Sequence, residues 1–209
     1  MSAPKGTSSN RHGRPLRADA RRNRERILEA AQELFAGPEG LSVPLDEIAE
    51  HAGVGAGTVH RHFPTKEALI AAVAVSRIQQ VVTLATSLAT ADDPGAALRQ
   101  QLSVMLAEGD QSAPLKSALA GTDFNIRTAA PDAAGELRDA VNVLLRRAQK
   151  ASAIRPEIDI DDLMAALAGT FHAIQYTGER FDSRRAKRLA GMFFDSLERR
   201  QSANTRRAE

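Results

Sequence analysis

Apolar residues in the first third of the chain recur at helical spacing and are interrupted at short intervals by glycine and proline. Ile27, Ala31, Leu34 and Phe35 stand at i, i+4, i+7 and i+8, which predicts a helix from Arg21 that "GPEG" at 37–40 brings to an end. Leu45, Ile48, Ala49 and Ala52 stripe a second helix, with Pro44 suited to its first position and Asp46 and Glu47 favourable to its positive dipole end. Gly53 stops that helix after barely two turns. A third is expected over roughly 55–61, closed by Phe63-Pro64, because proline lacks the N–H a helix needs and biases the residue before it away from helix. Thr65 is a plausible N-cap for a fourth, running to about 90 before "ADDPG" at 91–95 breaks it. Further helices are predicted near 95–108, 113–120, 132–152, 159–179 and 183–201, separated by Pro114, Pro131, Pro156 and the Gly178 region.

The resulting class is all-α: a small N-terminal three-helix unit and a larger helical body. The 209 residues contain no Trp and one Tyr, and period-2 alternation is rare, so composition does not argue for a sheet. No cysteine is present, which removes disulfides and thiolate metal sites. No stretch reads as a membrane span, no apolar segment follows the basic N-terminus as a secretory signal would, and a cytoplasmic location is expected.

Charge changes the picture at one end only. The formal net charge of +2 hides an asymmetry: residues 1–26 carry +6 and the remainder −4. Residues 1–20 lack an apolar period and read as a disordered basic arm, followed by a small helical domain at 21–66 and a larger helical domain at 67–209. A basic arm on a near-neutral body points to a polyanion, nucleic acid first and an anionic membrane second; a solvated tail is the plain alternative. "RHGRP" at 11–15 resembles an AT-hook core interrupted by His12, although a phosphate-attracting tail is the simpler reading.

Two short helices joined through a glycine turn have the form of a helix-turn-helix, whose second helix enters the major groove of DNA. Gly53 suits the turn, Val54 plugs between the helices, and Gly55 and Gly57 keep the leading edge slim. Thr58, His60, Arg61 and His62 offer donors to phosphates or base edges, and the alternative is an ordinary helical hairpin with a polar surface. The segment "RRNRERILEAAQELFAGPEGLSVPLDEIAEHAGVGAGTVHRHFPTKEALIAAV", 21–73, resembles the DNA-binding domain of the TetR family of bacterial transcriptional regulators. The resemblance implies a phosphate or base contact for Thr58, a phosphate contact for Lys66, and for His60 a position usually held by a phosphate-binding Tyr. His62 stands where Tyr or His is common. Gly55 and Ala56 replace the Ser and the Lys or Arg often found there, so Arg61 and the arm residues Arg14, Arg17 and Arg21 are expected to compensate. The segment "RAQKASAIRPEIDIDDLMAALAG", 147–169, is similar to the C-terminal domain of an actinobacterial subgroup of that family.

In the body, Phe171, His172, Gln175 and Tyr176, with Asp123, Phe124, Asn125 and Arg127 from "GTDFNIRT", are candidates to line a small-molecule pocket; Met105 is a weaker one. Each alone reads equally well as core or surface. Leu163, Leu167, Thr170 and Ile174 pair with Leu189, Phe193 and Leu197 as two stripes that would pack across a two-fold as a four-helix bundle, with Ala166, Gly169 and Ala173 allowing close approach. The same stripes would serve equally in a monomer core. His60 and His62 do not share a helix face, so no metal is expected, and no cofactor is implied. Without a Cys nucleophile, P-loop or Ser elbow the chain does not read as an enzyme, and the pairs Asp92-Asp93 and Asp161-Asp162 read as helix caps. The expected function is that of a homodimeric regulator on a palindromic operator in double-stranded DNA, a repressor released by a small, mostly apolar effector. The alternative is a ligand-independent regulator whose C-terminal domain only dimerises.

Overall fold

The computed structural model describes residues 13–111, 115, 118 and 131–198. Eight α-helices account for most of them: α1 (Gly13–Ala36), α2 (Leu45–His51), α3 (Ala56–His62), α4 (Lys66–Leu88), α5 (Pro94–Gln111), α6 (Pro131–Lys150), α7 (Ile160–Tyr176) and α8 (Arg184–Leu197). A single 3-10 turn lies at Gly40–Ser42, and the sole β-type pairing among the described residues is an isolated bridge between Ile154 and Glu198. The all-α expectation therefore holds. The chain divides into two compact units after Val73, inside α4, instead of at residue 66.

Unit 1 is the three-helix domain. Its core collects Ile27 and Ala31 of α1, Ile48 of α2, Val59 of α3 and Leu69 and Val73 of α4, all completely enclosed, with Val43 and Phe63 closing the ends. The first helix begins eight residues before the predicted Arg21. Leu16, Ala18, Ala20 and the arginines of 13–20 are good helix formers, and Arg22–Asp19 and Arg21–Glu25 ion pairs, three and four residues apart, lie along the same turn. Pro44 is the N-cap of α2, extended at ψ 157°, rather than its first helical residue.

Unit 2 buries Leu98, Leu102 and Leu106 of α5 against Val141, Leu144 and Leu145 of α6, and Leu163 and Leu167 of α7 against Phe193, Phe194 and Leu197 of α8. Caps fix its corners. Asp93 Oδ1 accepts from Ala96 N at 2.9 Å, Asp159 and Asp162 form a reciprocal capping box on α7, and Ser183 Oγ accepts from Ala186 N on α8. Asp161, expected as a cap, instead receives Arg138 of α6 at 2.7 Å. Gln149 Nε2 donates to the carbonyls of Arg155 and Ile158 at 3.0 and 2.8 Å, holding the α6–α7 loop. Arg147 Nη2 donates to the Ala91 carbonyl at 2.8 Å, and its Nη1 lies 3.5 Å from that of Leu88, at the C-terminal end of α4.

The expectation that no stretch reads as a membrane span needs correction. Helix α4 is by length and composition apolar enough to cross a membrane. Its apolar residues have partners in the protein, since Leu69, Ile70 and Val73 enter the core of unit 1 and Ala85 that of unit 2. Arg77, in its middle, is 8% exposed. Of the helix predicted near 113–120, Leu115 and Ala118 are described; both are helical, and Leu115 is buried.

Candidate nucleic-acid interface

The turn between α2 and α3 is built by backbone geometry. Gly53 takes φ +61°, a left-handed conformation in which a Cβ would be strained. Gly53 N donates to Glu50 O at 2.9 Å and Val54 N to Ala49 O at 3.0 Å, the pair of bonds that defines a Schellman C-cap. Arg26 of α1 reaches the same turn and donates from Nη2 to Gly53 O at 3.2 Å; a Cβ on Gly53 would lie 2.5 Å from that nitrogen. His51 Nε2, 2.8 Å from Glu33 Oε2, ties the end of α2 to α1.

Helix α3 then starts at Ala56 with Gly55 as its N-cap, extended at ψ 145° and without a capping side chain. Val59 is fully buried and fixes which face turns inward, leaving His60 and Arg61 exposed and Thr58 and His62 half-buried on the remaining surface. Arg61 folds back along its own helix, donating from Nε to Gly57 O at 2.9 Å. Phe63 closes α3 in extended conformation, buried, with the Arg24 guanidinium 5.5 Å from the centre of its ring. Thr65 Oγ1 accepts from Ala68 N at 3.1 Å and so caps α4, putting Lys66 at its first position. The Glu67 carboxyl beside it is held below the ordinary carboxylate range by its own backbone N–H and by the Thr65 hydroxyl.

Gly55 and Gly57 behave differently from Gly53. A Cβ on either would meet nothing within 4 Å, and neither has positive φ. The chain's own packing does not require glycine at these two positions. A helix whose outer edge is cleared of side chains, flanked by Thr58, His60 and Arg61, is shaped for close approach of a polyanionic groove.

The comparisons agree. The family model described as bacterial regulatory proteins, tetR family, matches residues 27–73, and that described as transcriptional regulator SbtR-like, C-terminal domain, matches 93–199. The chain belongs to the TetR family. Among solved structures, a TetR transcription regulatory protein from Mycobacterium vanbaalenii is 39% identical with a TM-score of 0.70, over 88% of this chain and 100% of that one. A TetR transcriptional regulator from Streptomyces coelicolor is 31% identical with a TM-score of 0.67, over 84% and 98%. An HTH-type transcriptional regulator of Staphylococcus aureus strain USA300 is 41% identical over 54 residues, which span 26% of this chain and 29% of that protein. The chain is thus a TetR-family transcriptional regulator with a helix-turn-helix DNA-binding domain, a family and fold of regulators and not of enzymes.

The remaining predicted positions of this TetR-family chain fall unevenly. Arg14 and Arg17 lie on α1, outside the residues whose side chains are described, and Arg21 is an exposed residue of the same helix. Asp123, Phe124, Asn125 and Arg127 lie outside the described residues. His172, Gln175 and Tyr176 are exposed on α7, with Tyr176 93% open to solvent, while Phe171 is half-buried and would meet a Cβ placed on Gly109 of α5 at 2.7 Å. Within the described residues, three of the four therefore line no enclosed cavity.

The predicted dimer stripe needs correction. Leu163, Leu167, Ile174, Phe193 and Leu197 are all buried within one chain, and Thr170 and Leu189 are half-buried. A 3.6-residue apolar period shows that a helix face is covered without showing by what, and in unit 2 the covering is the chain's own core. The exposed side of α7 carries Ala165, Ala166, Gly169 and Ala173, and that of α8 carries Met192, 67% exposed.

Sequence reasoning missed Arg24 and Arg26. Each acts through one long-range contact, on the Phe63 ring and the Gly53 carbonyl, to which local spacing gives no signal.

Proposed function

We propose that the chain is a homodimeric repressor that binds a palindromic operator through α3 and leaves it when a small, mostly apolar molecule enters unit 2. The observation that carries the DNA-binding half is the cleared edge of α3, where Gly55 and Gly57 have open space around them while Thr58, His60 and Arg61 stand at its flanks. Lys66, at the start of α4, supplies a backbone phosphate contact, and Thr58 and Arg61 read bases.

Two features support dimerisation through α7 and α8. The outer side of α7 is lined with small residues, over which a second helix can pack closely, and Tyr176 of α7 and Met192 of α8 are large side chains left exposed. An effector site is supported by polar groups inside unit 2. Gln101 is completely buried with its Oε1 unpartnered, and Arg77 Nη1 and Glu108 Oε2 face each other at 3.7 Å, beyond hydrogen-bond reach, without another partner among the described residues. A ligand with one or two hydrogen-bonding groups on an apolar frame matches that setting. Arg77 is on α4, the helix whose first residues belong to the core of unit 1. Reorienting α4 would move the recognition helices of a dimer off the spacing of about 34 Å between successive major grooves. Inverting a 99:1 population requires a preference of about 5.5 kcal/mol for the DNA-incompetent state.

The test is footprinting of the full-length chain on the DNA flanking its own coding sequence, with sedimentation under the same conditions. A protected inverted repeat bound by a dimer is expected, with protection lost on adding an effector found by thermal-shift screening. Protection of a single half-site by monomers would reject the dimeric reading. Protection that no stabilising ligand relieves would favour the ligand-independent alternative.

A further inference from the structure

Three polar side chains interrupt the apolar seam between α4 and α5. Arg77 stands four residues before Val81 and eight before Ala85, both buried, and Gln101 takes its place in the α5 stripe of Leu98, Leu102 and Leu106. Helical spacing therefore puts both on core-facing stripes, where Gln101 is completely enclosed and Arg77 nearly so. Gln101 Nε2 donates to Val81 O at 3.1 Å, while Arg77 faces Glu108, seven residues beyond Gln101 on α5. The two contacts advance in opposite senses along the two helices, which thus pack antiparallel with the three groups on one seam.

Among the described residues, Arg77 Nη1, Gln101 Oε1 and Glu108 Oε2 are buried without a hydrogen-bond partner. The 3.7 Å between Arg77 Nη1 and Glu108 Oε2 is an ionic separation, too long for a hydrogen bond. Native interiors leave few such groups unpaired, and a buried ion pair that served packing alone is often replaceable by apolar side chains without loss. Apolar surface stands alongside. Phe171 of α7 lies so close to Gly109, the residue after Glu108, that a Cβ there would be 2.7 Å from its ring, and Met105, one turn before Glu108, packs on the core of unit 2.

We infer that this seam is the recognition element of the effector site and that it selects an uncharged amide on an apolar frame, against both carboxylates and amines. The inventory of atoms decides the class. The seam offers one N–H donor, on Arg77, and two acceptors, on Glu108 and Gln101, and its formal charges cancel. A primary carboxamide carries the complement: a carbonyl to accept from Arg77 Nη1, and two N–H groups to donate to Glu108 Oε2 and, farther along the seam, to Gln101 Oε1. Its carbonyl and N–H stand side by side, as Arg77 Nη1 and Glu108 Oε2 do. A carboxylate would set a second negative charge beside Glu108, and an ammonium a second positive charge beside Arg77. Away from water, either like-charge contact is strongly unfavourable.

The amide class rests on the reading that unit 2 holds an effector, and the experiment separates the two. Full-length chain is titrated calorimetrically with three probes on one frame: cyclohexanecarboxamide, cyclohexanecarboxylate and cyclohexylmethylammonium. Wild type is expected to bind the carboxamide at least about tenfold more tightly than either ion. Removing one charge should reverse the order. Glu108→Gln leaves Arg77 unopposed and should prefer the carboxylate by about tenfold, and Arg77→Gln should prefer the ammonium by a similar factor. Glu108 is the half-buried member of the pair, so Glu108→Gln is the variant that spares the fold. An ion pair with a structural role alone would change melting temperature and leave the order of the probes as in wild type, which overturns the assignment. Wild-type preference for either ion would overturn the amide class and leave an effector site in unit 2 standing. Carboxamide binding that left operator protection unchanged would keep the seam as an amide site and overturn its part in releasing DNA.

Discussion

The Arg26 guanidinium, rooted in α1, holds the Gly53 carbonyl at 3.2 Å and so ties the first helix to the turn of the helix-turn-helix. Two separate penalties await a side chain at Gly53: the left-handed φ of +61° and a Cβ 2.5 Å from Arg26 Nη2. Gly53→Ala is expected to destabilise the protein by about 1–3 kcal/mol. Since Arg26 is flexible at its far end, most of this loss should persist in an Arg26→Ala background. Urea melts of the two single variants and the double resolve it, and a cost that vanished without Arg26 would locate the strain in the clash and not in the backbone.

Gly57 predicts the reverse. Its Cβ would meet nothing, and alanine is the better helix former by about 0.8–1.0 kcal/mol, so Gly57→Ala should melt at the same or a higher temperature. Operator affinity should nonetheless fall, by roughly tenfold or about 1.4 kcal/mol, because the added methyl stands on the edge presented to the groove. Undiminished binding by the variant would show that close approach of DNA is not what keeps this position free of a side chain.

Lys66 opens α4, three residues after the Phe63 that closes α3. Lys66→Ala should weaken binding to all sequences alike and lower the salt slope by about one. Relaxed preference at a single operator position would mark Lys66 as a base reader instead.

Burial in the monomer separates two charge insertions on α7. Leu167 is 6% exposed in the core of unit 2, and Leu167→Asp should cost at least about 3 kcal/mol and unfold that unit. Gly169 has open space where its Cβ would be, so Gly169→Glu should leave the fold intact and yield a folded monomer by sedimentation. A folded dimer carrying Gly169→Glu would move the interface away from this face of α7.

Asp161 gives α7 a pH-dependent tie to α6. The hydrogen bond from Arg138 and its positive charge hold the Asp161 carboxyl below its ordinary value, against a small opposing effect of burial. Its folded value lies beneath the unfolded one, so the stabilisation is complete above about pH 4 and disappears as pH falls through the lowered value. Melting temperatures of wild type and Asp161→Asn should therefore differ near neutral pH and converge in acid. A difference that persisted unchanged at about pH 2 would assign the effect to something other than this ion pair.

The helix-turn-helix was legible because its determinants are local: a glycine that ends α2, a Phe-Pro corner and a threonine cap each act within a few residues of chain, whereas Val54, expected as the plug between the helices, is only half-buried and Val59 is the valine fully enclosed. The caps at Asp93 and Asp162 are local in the same sense. What could not be read depends on distant partners. The period of Leu163, Leu167 and Ile174 announces a covered face, yet a monomer core and a two-fold seam leave the same trace. The arginines of 14–24 carry no apolar period, so their segment reads as a loose arm, although their own spacing matches the buried stripe downstream. Arg77 and Gln101 sit on apolar helices as ordinary polar residues, and only packing shows that water is shut away from them.

Arg147 adds a mechanical constraint to α4. Its guanidinium reaches the last carbonyl of that helix, at Leu88, and the carbonyl of Ala91 in the loop after it, from a residue of α6 that is itself anchored in the core layer beside Leu144, Leu145 and Ala148. Axial sliding of α4 would stretch both contacts at once, whereas tilting about its C-terminal end leaves them in place. Helix α4 contains neither glycine nor proline across its 23 residues, so it has no built-in joint to absorb such a tilt. The helix is thus an unbroken rod of 23 residues, about 33 Å from Lys66 to Leu88, clasped at its tail.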